Sequence, residues 1–190
     1  MRQRLSATAD RVIEIFAAAP WRLDALRAVA ALGLPDCWLA AGVLRNPIWD
    51  RLHGYAEATP LNDLDVVYFD PDDRGKEQDT ALEAKLRTLS PGLPWSIRNQ
   101  ARMHARNGDR PYTSTEDALR HWLERVSAVG IRITGTGDPE LLAPFGFGDI
   151  FDLTVHPTPH ARAKRLPDYR ARMARKNWPA IWPRVTVLAE

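Results

Sequence analysis

The sequence predicts an α/β or α+β sheet domain, and three observations predict it. Apolar residues recur at helical spacing across residues 12–30, and strand-like runs then alternate with helix-like ones as far as His156. The 190 residues fit one domain with a core of its own, with room for a small terminal extension. The mixture of both element types excludes a helical bundle and a β-sandwich.

Taken in order, Val12, Ile15, Phe16 and Ala19 share one helix face. Leu23, Leu26, Val29 and Ala30 do the same after a break at Pro20, and Gly33 and Pro35 end this second helix. Residues 37–41 form a short apolar run closed by Gly42, and a helix-like segment follows over 43–53. Residues 63–69 read as a strand. Leu64, Val66 and Tyr68 lie on one side of it, and Asp63, Asp65, Val67 and Phe69 on the other. A polar helix over 76–89, a turn at Ser90-Pro91-Gly92 and a strand over 95–100 come next. Thr113 or Ser114 caps a helix over 116–126, with Asp117 adding early negative charge. Further strands are expected over 128–134 and 150–156. The chain thus divides into N-terminal helices (1–35), a core (36–156) and a C-terminal helix and tail packed on that core (157–190).

Composition and charge narrow the class. The single Cys37 excludes an intramolecular disulfide, no Cys/His group has zinc spacing, and a reducing, cytoplasmic setting is expected. Asp10, Arg11 and Glu14 interrupt the N-terminal apolar stretch, which argues against a signal peptide. No run approaches the roughly 20 apolar residues that cross a bilayer. A net charge of +2 is too small to argue for nucleic acid, but its distribution is uneven. Acidic residues gather around 63–79, while Arg162, Lys164, Arg165, Arg170, Arg172, Arg175, Lys176 and Arg184 load the C-terminal part. That part is either a solvated face or an attraction for a polyanion.

Two motifs carry chemistry. In Asn62-Asp63-Leu64-Asp65, residues two apart on a strand put both carboxylates on one face. Their repulsion is relieved by a divalent cation, and Mg²⁺ typically takes one or two carboxylates together with polyphosphate oxygens. In Trp38-Leu39-Ala40-Ala41-Gly42-Val43-Leu44-Arg45-Asn46, Gly42 stands at a strand-to-helix junction. There the backbone can approach a phosphate and the helix offers free N–H groups. Arg45 can fork onto phosphate oxygens, or it sits in a structural ion pair beside a tight turn.

In this order and separation the two motifs resemble the nucleotidyltransferase signature of the polymerase-β superfamily. Ala41-Gly42 and Arg45-Asn46 echo the Gly-Gly-x-x-Arg-Asp segment of tRNA CCA-adding enzymes. The stretch from Trp38 to Trp182 is similar to a bacterial group of nucleotidyltransferase-family proteins. It matches them in residues 62–70, in Asn99-Gln100-Ala101-Arg102-Met103-His104, in Pro111-Tyr112-Thr113-Ser114, in Pro144-Phe145-Gly146-Phe147-Gly148-Asp149, and in Lys176-Asn177-Trp178 through Trp182-Pro183. The resemblance implies a polymerase-β-like fold with a mixed β-sheet flanked by helices. It also implies transfer of a nucleoside monophosphate from an NTP to a hydroxyl acceptor with release of pyrophosphate.

On this reading Asp63 and Asp65 hold Mg²⁺ and are the catalytic pair, and Gly42, Arg45, Asn99 and Arg102 bind nucleotide. Two departures stand out. Ala41 occupies the place of the first Gly, and the superfamily's third carboxylate has no clear occupant. Asn99 could take its place, with Glu124, Asp149 and Asp152 as alternatives. His104 could assist an acceptor hydroxyl, whereas His156 and His160, beside prolines, read as surface residues. The alternatives to catalysis are a nucleotide-binding or regulatory domain that has lost the chemistry, and an RNA-binding module. The latter would use the basic tail, with Trp178 and Trp182 either packing that tail or stacking bases.

Overall fold

The computed structural model describes residues 2–73 and 75–188, with side chains from Ala7 onward. Helices α1 (Arg2–Ala17) and α2 (Pro20–Ala30) open the chain, with Pro20 in the first turn of α2, where a missing N–H costs nothing. Strand β1 (Trp38–Ala40) runs directly into α3 (Gly42–His53). Then β2 (Leu64–Tyr68), α4 (Lys76–Leu89) and β3 (Trp95–Asn99) form a parallel β–α–β unit. Two short helices, α5 (Met103–Asn107) and α6 (Thr115–Arg120), lead to an antiparallel pair, β4 (Gly130–Ile133) and β5 (Pro139–Leu142). The chain finishes through α7 (Gly148–Phe151), β6 (Thr154–Val155), α8 (Pro159–Lys164), α9 (Leu166–Lys176), α10 (Trp178–Ile181) and β7 (Thr186–Val187).

The main sheet runs β3-β2-β1-β4-β5 and is mixed, with only β2 and β3 parallel. Its two faces differ in a way that β2 alone foretells. Leu64, Val66 and Tyr68 join Leu39, Ile97 and Ile131 in the principal core, together with buried residues of α1 to α4. The opposite face carries Trp38, Ala40, Ala41 and Val67, with Trp122 and Leu142 against them, and it also bears Asp65.

The C-terminal segment closes over α3. The Trp178 and Trp182 rings meet Trp49 edge-on at 5.3 and 5.0 Å, and Trp182 Nε1 donates to Asp50 at 2.8 Å. Both rings are buried, so they pack the tail and offer no stacking surface for a base. No helix among the described residues is long and apolar enough to cross a membrane.

Two local predictions need correction, and one strand is additional to them. The strand expected over 150–156 shrinks to two residues, because α7 occupies its start and Leu153 turns the chain at φ 56°. Ile150, Leu153 and Val155 are nonetheless buried, so the apolar signal marked core with the wrong period. The helix expected over 116–126 stops at Arg120, although Ser114 does cap it by accepting from Asp117 N–H. Beyond it the chain is pinned to residues 157–158: Glu124 bridges to Pro157, and Thr158 donates its N–H to Leu123 and its hydroxyl to Trp122. Finally, β5 was not foreseen. It is an edge strand that begins at a proline and buries little, so it lacks strand-like alternation.

Candidate functional site

The site begins with register. β1 and β2 are antiparallel with Ala40 opposite Asp65, so the point where β1 turns into α3 lies beside the Asp63-x-Asp65 end of β2. That turn is made at Ala41, with φ 60° and ψ −115°, a conformation that glycine adopts freely and other residues do not. The surrounding bonds hold it there. Ala41 N–H donates to Val129 at 2.9 Å, and its carbonyl accepts from Leu44 and Arg45 at 3.1 Å. The N–H groups of Gly42 and Val43 precede the first of these helical bonds, at the positive end of α3. A Cβ on Gly42 would stand 3.3 Å from Leu61 and 3.6 Å from Arg45 Nη2, so the absent side chain keeps this corner open.

Asp65 lies partly buried, and its carboxyl is pushed up to about 6 by that burial and then by neighbouring Asp63. Arg172, Lys176 and Arg45 pull the other way. Arg172 and Lys176 sit one turn apart on α9 and are carried over the carboxylates by the closing tail. Two cavities meet at this point. The smaller, about 70 Å³, is bounded by Gly42, Arg45, Asp63, Asp65, Lys176 and Trp178. The larger, about 330 Å³, shares Asp63, Asp65, Ser127 and Arg172, then continues past Arg98, Arg106, His121 and Arg165.

Arg45 is buried, and hydrogen bonds and indole rings hold it in place of the structural ion pair that its position allowed. Nη1 donates to Ser127 Oγ at 2.7 Å, Nη2 donates to Asn46 Oδ1 at 2.9 Å, and Nε has no hydrogen-bond partner. The guanidinium lies between the rings of Trp49 and Trp178, at 5.0 and 4.3 Å. Burial lowers it to about 10. No carboxylate touches it among the described residues, so a buried positive charge faces the small cavity without a direct counter-ion.

Glu124 is the one alternative third carboxylate that lines the site, and it is already engaged. Arg172 grips it through Nε at 2.9 and 3.0 Å and through Nη2 at 2.9 Å, while Ser127 Oγ donates to it at 2.8 Å. A chain Arg45–Ser127–Glu124–Arg172 therefore runs along the wall shared by the two cavities. Asp149 lies elsewhere and pairs with His156 at 3.1 Å. Among the described residues no three His, Cys, Asp or Glu side chains converge as a metal cage.

Asn99 and Arg102 are not brought to this place. Asn99 pairs with Tyr68 at the far end of the β2–β3 ladder, on the core side, and is fully buried. Its Oδ1 accepts from Asp70 and Ala101 N–H, and its Nδ2 donates to the Asp70 and Asp73 carbonyls, so it ties the loop after β2 to the end of β3. Arg102 forms an ion pair with buried Asp79. His104 bonds the Ala101 carbonyl and leans on Tyr112, outside both cavities. His160 is not a free surface residue either: it faces Asp109 at 3.0 Å.

The residues that sequence reasoning passed over are Ser127, Arg172, Lys176 and His121. For Arg172 and Lys176 the signal existed, in the basic loading of the C-terminal part. A cavity of about 340 Å³ beside Cys37 holds less chemistry: Arg132 there is paired with Glu140 at 2.7 Å, and burial pushes the Cys37 thiol up to about 12.

Comparison with known proteins places this geometry in context. A family model described as nucleotidyltransferase matches residues 27–187. An NMR structure described as revealing a CCA-adding enzyme head domain superposes with a TM-score of 0.83 at 37% identity, covering 94% of this chain and 95% of that one. A structure titled tRNA-processing enzyme (apo form I) aligns at 16% identity with a TM-score of 0.49, over 80% of this chain and 41% of that one. Among curated proteins no match is found. The family match covers both motifs, the sheet that sets them side by side and the helix that closes over them, and the chain belongs to the nucleotidyltransferase family.

Proposed function

We propose that the chain transfers a nucleoside monophosphate from an NTP to a hydroxyl acceptor with Mg²⁺, using Asp63 and Asp65 as its metal ligands. One observation carries the reading: both carboxylates open onto the same small cavity as Gly42, Arg45 and Lys176. That combines a negative pair with a positive wall, the arrangement a metal-bound polyphosphate requires.

The donor set fits the ion. Two carboxylates on one strand face, with no third protein ligand converging among the described residues, suit a cation that fills its shell with water and substrate phosphate. When bound, Mg²⁺ neutralises charge and aligns the attacking and leaving oxygens. The chain's own residues do the rest. The Gly42 and Val43 N–H groups receive phosphate oxygens at the start of α3. Arg45 supplies a fixed buried charge, held in place by Ser127, Asn46 and two indoles. Lys176 and Arg172 close the opposite side from α9. The acceptor oxygen bonds to the α-phosphorus, the bond to the bridging oxygen breaks, and pyrophosphate leaves with the electron pair.

A nucleotide-binding domain without transfer is the second reading, favoured by the engagement of Glu124 with Arg172, which leaves no spare third carboxylate. Calorimetric titration of NTPs in Mg²⁺, repeated with EDTA and with Asp63→Asn/Asp65→Asn, tests the metal site. Loss of binding in both controls supports it, and binding unaffected by either sinks it. Pyrophosphate release across an acceptor panel then separates transfer from binding alone.

A further inference from the structure

The larger cavity has a charge of its own. Away from Asp63, Asp65 and the Arg172-bound Glu124, its walls carry Arg98, Arg106, Arg165 and His121, and no other carboxylate lines it. Two of these cations are already partnered from outside, Arg98 by Glu83 at 2.7 Å and Arg165 by Asp168 at 3.0 Å. Arg106, on α5, is exposed and makes no ion pair among the described residues. His121 is fixed by Nδ1, which donates to the Asp117 carbonyl at 2.7 Å.

We infer that this cavity is the acceptor subsite and that it takes a small hydroxyl compound bearing a phosphate, with Arg106 and Arg165 binding the phosphate. The inference rests on the nucleotide reading above, which assigns the smaller cavity to the triphosphate and leaves the larger one on the other side of Asp63 and Asp65. Three observations carry it.

A volume of about 330 Å³ is that of a small-molecule pocket. The cationic lining begins beyond the carboxylates, so a phosphate held there leaves the hydroxyl end of the same molecule beside Asp63 and Asp65. A single-stranded RNA would want an exposed aromatic platform at the site, and the one indole lining this cavity, Trp122, is partly buried against the cluster around Trp38. In the transfer, the acceptor oxygen forms the bond to the α-phosphorus, its proton passes to solvent water, and pyrophosphate departs.

The test uses inorganic phosphate, which needs no knowledge of the acceptor. The protein is saturated with Mg²⁺ and a non-hydrolysable NTP analogue, and phosphate is titrated at constant pH and ionic strength. The His121 ring is followed by NMR against a chloride control. A saturable shift below about 20 mM, weakened roughly tenfold or more in Arg106→Gln, is expected. Analogue affinity should be unchanged in that variant. No saturable shift overturns the inference, as does a shift that Arg106→Gln leaves intact.

An acceptor panel supplies the second arm. Pyrophosphate release with glycerol 3-phosphate or ribose 5-phosphate should exceed that with glycerol or ribose by about tenfold or more. Equal use of the neutral compounds, or release only with a short oligoribonucleotide, overturns the small phosphorylated acceptor. Failure of the analogue itself to bind would instead remove the nucleotide reading on which the subsite rests.

Discussion

Ala40 stands directly opposite Asp65 across the β1–β2 ladder, and this pairing joins two motifs that are more than twenty positions apart in sequence. It brings the positive start of α3 to the negative end of β2.

On the proposed reading Asp65 ligates Mg²⁺ only when ionised, and its carboxyl is pushed up to about 6. Mg²⁺ must displace a proton below that value and none above it. Apparent metal affinity should therefore climb about tenfold per pH unit below 6 and flatten above it. Asp63→Asn removes a neighbouring negative charge, so the break should move to lower pH. Titration of Mn²⁺ or Mg²⁺ from pH 5 to 8 reads both effects. A flat profile would show that Asp65 is not a ligand.

The same shift makes the metal-free protein sensitive to pH. A carboxyl raised in the folded state holds its proton more tightly there than in the unfolded chain. The stability it contributes is full below the unfolded value near 3.8, is lost as pH climbs through about 6, and does not return above that. Asp65→Asn should therefore stabilise the metal-free protein at pH 7 by on the order of 2 kcal/mol while abolishing metal-dependent binding. Chemical denaturation of both proteins in EDTA at pH 4 and pH 7 checks it, the difference being confined to pH 7.

Ala41 holds a backbone conformation that costs a non-glycine residue about 1–3 kcal/mol. Ala41→Gly removes that cost and adds back roughly 0.4–1 kcal/mol of unfolded-chain entropy. A net gain on the order of 1 kcal/mol is expected, seen as a Tm rise of about 2–4 °C. Ala41→Val should be destabilising. An unchanged or lower Tm for the glycine variant would mean that the turn carries no strain.

Glu124 is buried and bound by Arg172 and Ser127, so a glutamine there leaves the Arg172 guanidinium without its counter-ion and sets an NH₂ donor where one carboxylate oxygen accepted. Glu124→Gln should destabilise by roughly 2–4 kcal/mol and weaken NTP binding as Arg172 loses its anchor. A double-mutant cycle with Arg172→Gln should return a coupling of about 1 kcal/mol or more. Additive effects would show that the two side chains do not act together.

Asn99 separates fold from function. Asn99→Ala abolishes four hydrogen bonds around a buried amide and should cost about 2–4 kcal/mol. The affinity of the folded protein for NTP should not change. A reduced affinity at full folding would return Asn99 to the binding site that its sequence neighbourhood suggested.

Much of the fold was legible because the relevant signals are local. The alternation in β2, the glycine after β1 and the polar pattern of α4 depend on residues within a few positions of one another. The carboxylates and Gly42 could be read for the same reason. Ser127, Arg172 and Lys176 could not be placed, because they reach the site through α9 and the turn before β4, and nothing in their own neighbourhoods marks the destination. Asn99 misled in the opposite way. It stands next to the right strand but on the wrong face, and parity along a strand is invisible until its register is known.

The lateness of α9 in the chain also matters for synthesis. Arg172 and Lys176 are translated more than a hundred residues after Asp63 and Asp65, and Trp182, which locks them down against Asp50, comes later still. On the ribosome, the half-made protein holds its acidic pair without the cations of α9, which are seated only once Trp178 and Trp182 have packed against Trp49. Termination before Trp178 would thus release a chain that has both motifs and lacks the indoles that hold α9 over them.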